Sequence, residues 1–90
     1  MKIELKKFGE ILTSRPAGKD AWLTASAYIL PNVGKDKIEI DFTGVAVLSP
    51  SWADEFFTPL QAKYSGQVIF LPSNNPTVQA TLKIIKEQHL

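Results

Sequence analysis

The hydrophobic pattern of this ninety-residue chain switches repeatedly between a strand-like period of about 2 and a helix-like period of about 3.6. Few architectures accept such an alternation. Residues 2–7 alternate, Ile3 and Leu5 against Lys2, Glu4 and Lys6, which reads as a half-exposed strand with lysines suited to a sheet edge. Phe8-Gly9 reads as a turn into a short second strand over residues 10–13. Ser14-Arg15-Pro16 opens a helix, because proline fits the first helical position, where its missing N–H costs nothing. On a helical wheel Ala17, Gly18, Ala21, Trp22, Ala25, Tyr28 and Ile29 share one arc. Small residues early and large ones late imply close packing at the helix start. Leu23 and Leu30 fall outside the arc and are expected to be partly exposed on a contact surface. Pro31-Asn32-Val33-Gly34 ends the helix.

Residues 37–42 form the next strand, with Ile38, Ile40 and Phe42 alternating against Glu39 and Asp41. Asp41, at the strand end, reads as a turn-bonding residue. After Thr43-Gly44, residues 45–48 lead into Ser49-Pro50 and a second helix to about residue 64. Its apolar arc is Ala53, Phe56, Phe57, Leu60 and Tyr64, and Pro59 is expected to kink it or end it early. Residues 67–71 make a continuous apolar run, as in a strand covered on both faces, and Ile69 and Phe70 are expected with Ile38, Ile40 and Phe42 at the centre of the sheet. A Pro- and Asn-rich loop then precedes a last helix over residues 77–88, burying Val78, Leu82 and Ile85.

The order β-β-α-β-α-β-α predicts an α/β fold. It implies one domain over residues 1–90, with helices packed on a four-stranded, mostly parallel sheet and an antiparallel N-terminal strand. Hydrophobic residues make up 44% of the chain, enough for a single core and too many for disorder. Helices that follow parallel strands start at the carboxyl edge of the sheet. Residues 14–15, 49–54 and 73–75 should therefore share one rim, where open α/β sheets bind.

Composition narrows the function. Net charge is +1 and the basic residues are dispersed, which argues against nucleic-acid binding. There is no cysteine, so disulfides, Cys-based zinc sites and a thiol nucleophile are excluded. The alternating N-terminus is not a signal peptide, and no apolar run approaches the ~20 residues of a membrane span, so a soluble, cytoplasmic protein is expected. His89 is the only histidine. No Ser-His-Asp arrangement, metal cluster or phosphate loop can be assembled, so neither catalysis nor a cofactor is expected.

One segment resembles a known family. Ile38-Glu-Ile-Asp-Phe-Thr-Gly-Val-Ala-Val-Leu-Ser-Pro-Ser-Trp-Ala-Asp-Glu-Phe56 is similar to the centre of STAS domains, the fold of anti-sigma-factor antagonists. It looks closest to the short STAS-like domains of unknown function, whose second helix begins Ser-x-Ser-aromatic-Ala-Asp-Glu. Ser14-Arg15 before an Ala-rich helix fits that group as well. In the antagonists an acidic residue precedes a switch serine, and a second hydroxyl and a glycine follow. Aligned on Val45 and Leu48, those places hold Ser49, Pro50, Ser51 and Trp52, so the usual phospho-acceptor position is a proline.

The resemblance implies docking onto a regulatory partner, such as a histidine-kinase-like ATPase, through the start of the second helix. The residues expected to carry it are Arg15, Ser49, Ser51, Trp52 and Glu55, with Ser51 as the candidate phosphorylation site. Simpler roles compete at each position. Ser49 reads as an N-cap, Asp54 and Glu55 suit the positive end of a helix, and Trp52 fits the core as well as an interface. Arg15 is opposed by its helix dipole and needs a carboxylate partner, Asp54 or Glu55 across the rim, or else an external anion. A second function remains open: a small-ligand or nucleotide-binding module using the same rim.

Overall fold

The computed structural model describes residues 1–88. Strand β1 (Lys2–Glu4) runs into a 3-10 turn (Leu5–Phe8), then β2 (Ile11–Leu12), α1 (Arg15–Thr24) and a π-helical turn (Ala25–Ile29). Next come β3 (Ile38–Asp41), β4 (Val47–Leu48), α2 (Pro50–Lys63), β5 (Val68–Phe70) and α3 (Pro76–Gln88). This is a small α/β fold with three α-helices and a parallel sheet.

The sheet differs in detail from the sequence reading. There are five strands in two sheets, one ordered β1-β3-β5 and one pairing β2 with β4. Every pairing is parallel, including β1 with β3. The N-terminal strand is therefore not antiparallel. The 3-10 turn and Gly9, at φ +136°, carry the chain sideways, so β2 leaves the main sheet instead of folding back on β1. Residues 47–48, read from sequence only as a lead-in, pair with Ile11 and Leu12.

Strands β1, β3 and β5 adjoin in chain order, and the right-handed rule for parallel crossovers then puts the connecting helices on one face of the sheet. The burial of β3 shows this: Ile38 and Ile40 are fully buried, while Glu39 and Asp41 are half-buried on the other face. The same geometry corrects the reading of residues 67–71. They were expected to be central and covered on both faces, but β5 is a sheet edge, and Ile69 is 40% exposed on the face that lacks helices. β3 is the central strand.

Helix α2 organises the core, burying Trp52, Ala53, Phe56, Phe57 and Leu60. Trp52 stacks on Phe56 at 5.0 Å, and Phe57 meets Phe70 of β5 edge-on at 5.0 Å. Trp22 and Phe8 reach Phe56 from the other side. Such aromatic pairs add about 0.5–1.5 kcal/mol each beyond the area they bury. The helix continues through Pro59 to Lys63 instead of ending early; packing of Phe56, Phe57 and Leu60 on both sides of the proline outweighs the hydrogen bond it cannot donate.

The π-helical turn explains two further departures. A backbone hydrogen bond from Leu30 N–H to Ala25 C=O, 2.9 Å, spans five residues instead of four. The wider turn uses more residues per revolution, so the phase of the helix falls behind that of a regular wheel. Leu30, assigned to a contact surface by a regular wheel, is fully buried, whereas Tyr28, assigned to the core arc, is 84% exposed.

Helices α1 and α2 come into backbone contact at Gly18. A Cβ there would lie 2.5 Å from the Trp52 carbonyl oxygen. Alanine would favour an isolated helix by about 1 kcal/mol. Gly18→Ala is nevertheless expected to destabilise the fold by about 1–3 kcal/mol, because backbone, not a flexible side chain, must move. Chemical denaturation checks this, and wild-type stability would show that α1 does not depend on the close approach.

Candidate functional site

The three helix starts meet on one rim, as the connectivity requires. Ser14 Oγ caps α1 by accepting from Ala17 N–H, and Ser49 Oγ caps α2 by accepting from Trp52 N–H. Ser49 also donates to Thr13 C=O at 2.7 Å, and its N–H donates to Leu12 C=O. Both functional groups of Ser49 are thus committed to joining α2 to β2. Asn75 does the corresponding work at α3. Its Oδ1 accepts from Thr77 N–H, Thr77 Oγ1 and Val78 N–H, while Nδ2 donates to the carbonyls of Val45 and Ala46. Thr77 and the buried Thr81 bond the N–H and C=O of Leu48. Adjacent peptide groups of β4 are thereby held from two directions.

Arg15 lies opposite the first turns of α2. Its guanidinium donates to Asp54 at 2.8 Å and to Glu55 at 3.1 Å. These two hydrogen bonds, Asp54's first, raise the guanidinium pKa above its ordinary value. Asp54 accepts in turn from Thr58 Oγ1 at 2.8 Å. The cation that its own helix dipole opposes is therefore balanced from the neighbouring helix. All three groups are partly exposed, so the cluster fixes geometry more than it adds stability.

Of the residues predicted to form the site, the structure joins Arg15 to Glu55 and leaves Ser51 half-exposed in the first turn of α2. It does not present Trp52, which is 1% exposed and packed between Phe8, Phe56 and Phe57. Gly18 sits directly over its backbone, and the buried indole is an element of the core. Ser49 acts as a cap. His89 lies outside the described residues.

Sequence reasoning missed a groove between α1 and α2. It measures about 440 Å³ and continues from the charged cluster, with Lys19, Trp22, Leu23, Asp54, Glu55 and Pro59 among its lining. Leu23 is 53% exposed on its wall. The available signals were Leu23's place off the apolar arc and the need of Arg15 for a carboxylate; what was lacking was the angle between the helices. Among the described residues no cluster of His, Cys, Asp or Glu could hold a metal ion, and no helix is long and apolar enough to cross a membrane.

A family model described as "STAS-like domain of unknown function (DUF4325)" matches residues 27–79, more than half of the chain. The chain belongs to that family. The match covers β3, β4, α2, β5 and the first turn of α3, so Ser51, Asp54 and Glu55 of the STAS-like domain lie inside it and Arg15 lies outside. No curated protein and no solved structure matches the chain.

Asp41, at the carboxyl end of β3, closes an Asx turn. Thr43 N–H donates to Oδ1 at 3.0 Å and the Thr43 hydroxyl at 2.7 Å. These bonds, the backbone one first, hold the Asp41 carboxyl below its ordinary range, and Lys2 and Lys6 add to the effect. Because the folded value lies below the unfolded one, near ~3.9, the resulting stability is complete above that pH. It is lost as pH falls through the lowered value. Thr43→Val, which keeps the N–H and removes the hydroxyl, is expected to raise the Asp41 titration midpoint part of the way back; an unchanged NMR titration would remove the hydroxyl from this account. Asn75→Ala should cost about 1–3 kcal/mol in a denaturation experiment, since it removes a cap and orphans two carbonyls. A loss under about 0.5 kcal/mol would mean that water replaces the side chain.

Proposed function

We propose that this STAS-like domain is a non-catalytic regulatory module that docks onto a partner protein through the groove between α1 and α2 and the adjoining start of α2. The observation that carries the reading is the juxtaposition of the Arg15–Asp54–Glu55 cluster with exposed Leu23 and half-buried Trp22 along one groove. An apolar floor with a charged rim is the usual anatomy of a protein contact. The contact residues under this reading are Arg15, Ser51, Glu55 and Leu23; Trp52 and Ser49 support the surface from beneath. By the likeness to anti-sigma-factor antagonists, a histidine-kinase-like ATPase is the partner type to try first. A cytoplasmic setting goes with such a partner.

Ser51 is the place where phosphorylation would act. A phosphate in the first turn of α2 is tolerated by the helix, since it meets the positive end of the dipole. It would add about two negative charges beside Asp54 and Glu55 and disturb a docked surface. Pro50 stands where the antagonists carry their switch serine, which favours constitutive docking over a phospho-switch. The competing reading, an anionic nucleotide on the same rim, fits less well. Arg15 is already engaged by two carboxylates, which would repel a phosphate.

Affinity capture with the wild-type chain and with Leu23→Lys, Ser51→Asp and Lys35→Ala tests this proposal. Wild type and Lys35→Ala should retain the same partner, and Leu23→Lys and Ser51→Asp should lose at least about tenfold of it, in line with loss of a central contact. Equal recovery in all four would dismiss the groove. Nucleotide titration followed by Trp22 fluorescence should give no change; a saturable response would favour the ligand reading.

A further inference from the structure

The open side of β5 has no part in the reading above. In the ladder with β3, Ile38 N–H donates to Gln67 C=O at 2.8 Å and Leu71 N–H donates to Ile40 C=O at 3.0 Å. Peptide groups alternate in direction along a parallel strand. The N–H and C=O groups of Val68 and Phe70 therefore point away from β3. The sheet ends at β5, so no strand among the described residues meets them. Beside this edge a cleft of about 530 Å³ separates the end of β5 from α3. Phe70, Leu71, Val78 and Leu82 form its apolar walls, and exposed Lys83 and Lys86 stand on its lip with Glu87.

We propose that this edge receives an extended acidic peptide of another protein as an added strand. Its backbone would pair with Val68 and Phe70, every second side chain would enter the cleft, and a carboxylate would meet Lys83 and Lys86. Three independent features converge on such an occupant. Unpaired peptide groups in a row are satisfied by another main chain, and affinity in this mode comes from those bonds. The apolar cleft lies where alternate side chains of an added strand would fall. The two lysines select the sign of its charge. A second copy of this chain suits the edge poorly. The run Val68-Ile69-Phe70-Leu71 carries no acid to meet Lys83 and Lys86.

The test is selection of a randomised heptapeptide library against the full-length chain, followed by amide NMR with the selected peptides. Alternating apolar and acidic residues should be enriched, and the peptides should shift the Val68 and Phe70 amides. Lys83→Glu/Lys86→Glu, both exposed positions, should weaken binding by about tenfold and select basic peptides instead. N-methylation of alternate peptide nitrogens should abolish binding. No enrichment, tolerance of N-methylation, or indifference to the charge reversal would overturn the proposal. So would concentration-dependent self-association through Val68 and Phe70, because the edge would then belong to a second copy. Leu23→Lys should leave peptide binding intact, which keeps this result separate from the fate of the α1–α2 groove.

Discussion

The contact between Gly18 and the backbone of Trp52 is the constraint on which the rest of the molecule depends. It lets two helices approach until only hydrogen separates their backbones. With α1 at that distance, Ala21 and Ala25 are buried and Trp22 can place its ring edge against Phe56. The same approach puts Arg15 within reach of two carboxylates one helix away. Local packing and rim electrostatics are thus consequences of one missing side chain.

Trp52 links that contact to the sheet. Its indole stacks on Phe56, Phe56 meets Phe57 edge-on, and Phe57 meets Phe70 of β5. An aromatic spine consequently runs from the α1–α2 contact to the strand farthest from β1. With helices on a single face, the sheet keeps one polar side, where Lys2 and Glu39 occupy neighbouring registers, and Ile69 follows them at the edge. Parallel sheets are usually covered on both faces. In this chain the charged residues of β1 and β3 let one face remain in water.

Much of this was legible in the residues themselves. The alternation at Ile38, Glu39, Ile40 and Asp41 gave the central strand its inward and outward faces correctly. The helix start at Ser14-Arg15-Pro16, the cap at Ser49, the turn at Asp41 and the need of Arg15 for a carboxylate followed from short-range chemistry. The failures have physical causes of longer range. Leu30 and Tyr28 exchanged places because one π-helical turn breaks the period that a wheel assumes. Val68 to Phe70 looked central because an apolar run reports cover by side chains and says nothing of how many strands adjoin it. Trp52 was ambiguous between core and interface, and its burial depends on the approach of α1 at Gly18 and on the rings of Phe8, Phe56 and Phe57. The groove beside Leu23 belongs to neither helix alone, so no single-segment pattern could display it.

The all-parallel pairing has a bearing on how the chain reaches this state. Ile3 pairs with Ile40, Ile11 with Val47, and Ile40 with Phe70, so every rung joins residues thirty or more positions apart. No hairpin is available as a local seed. Each ladder must close a long loop before any of its hydrogen bonds form, which is the topology of slow folding. During that interval β1 and β2 lack their partner strands, which leaves Ile3, Ile11 and Leu12 without their ladder neighbours. Lys2, Lys6 and Lys7 flank and interleave them, and like charges there discourage one unfinished chain from pairing with another.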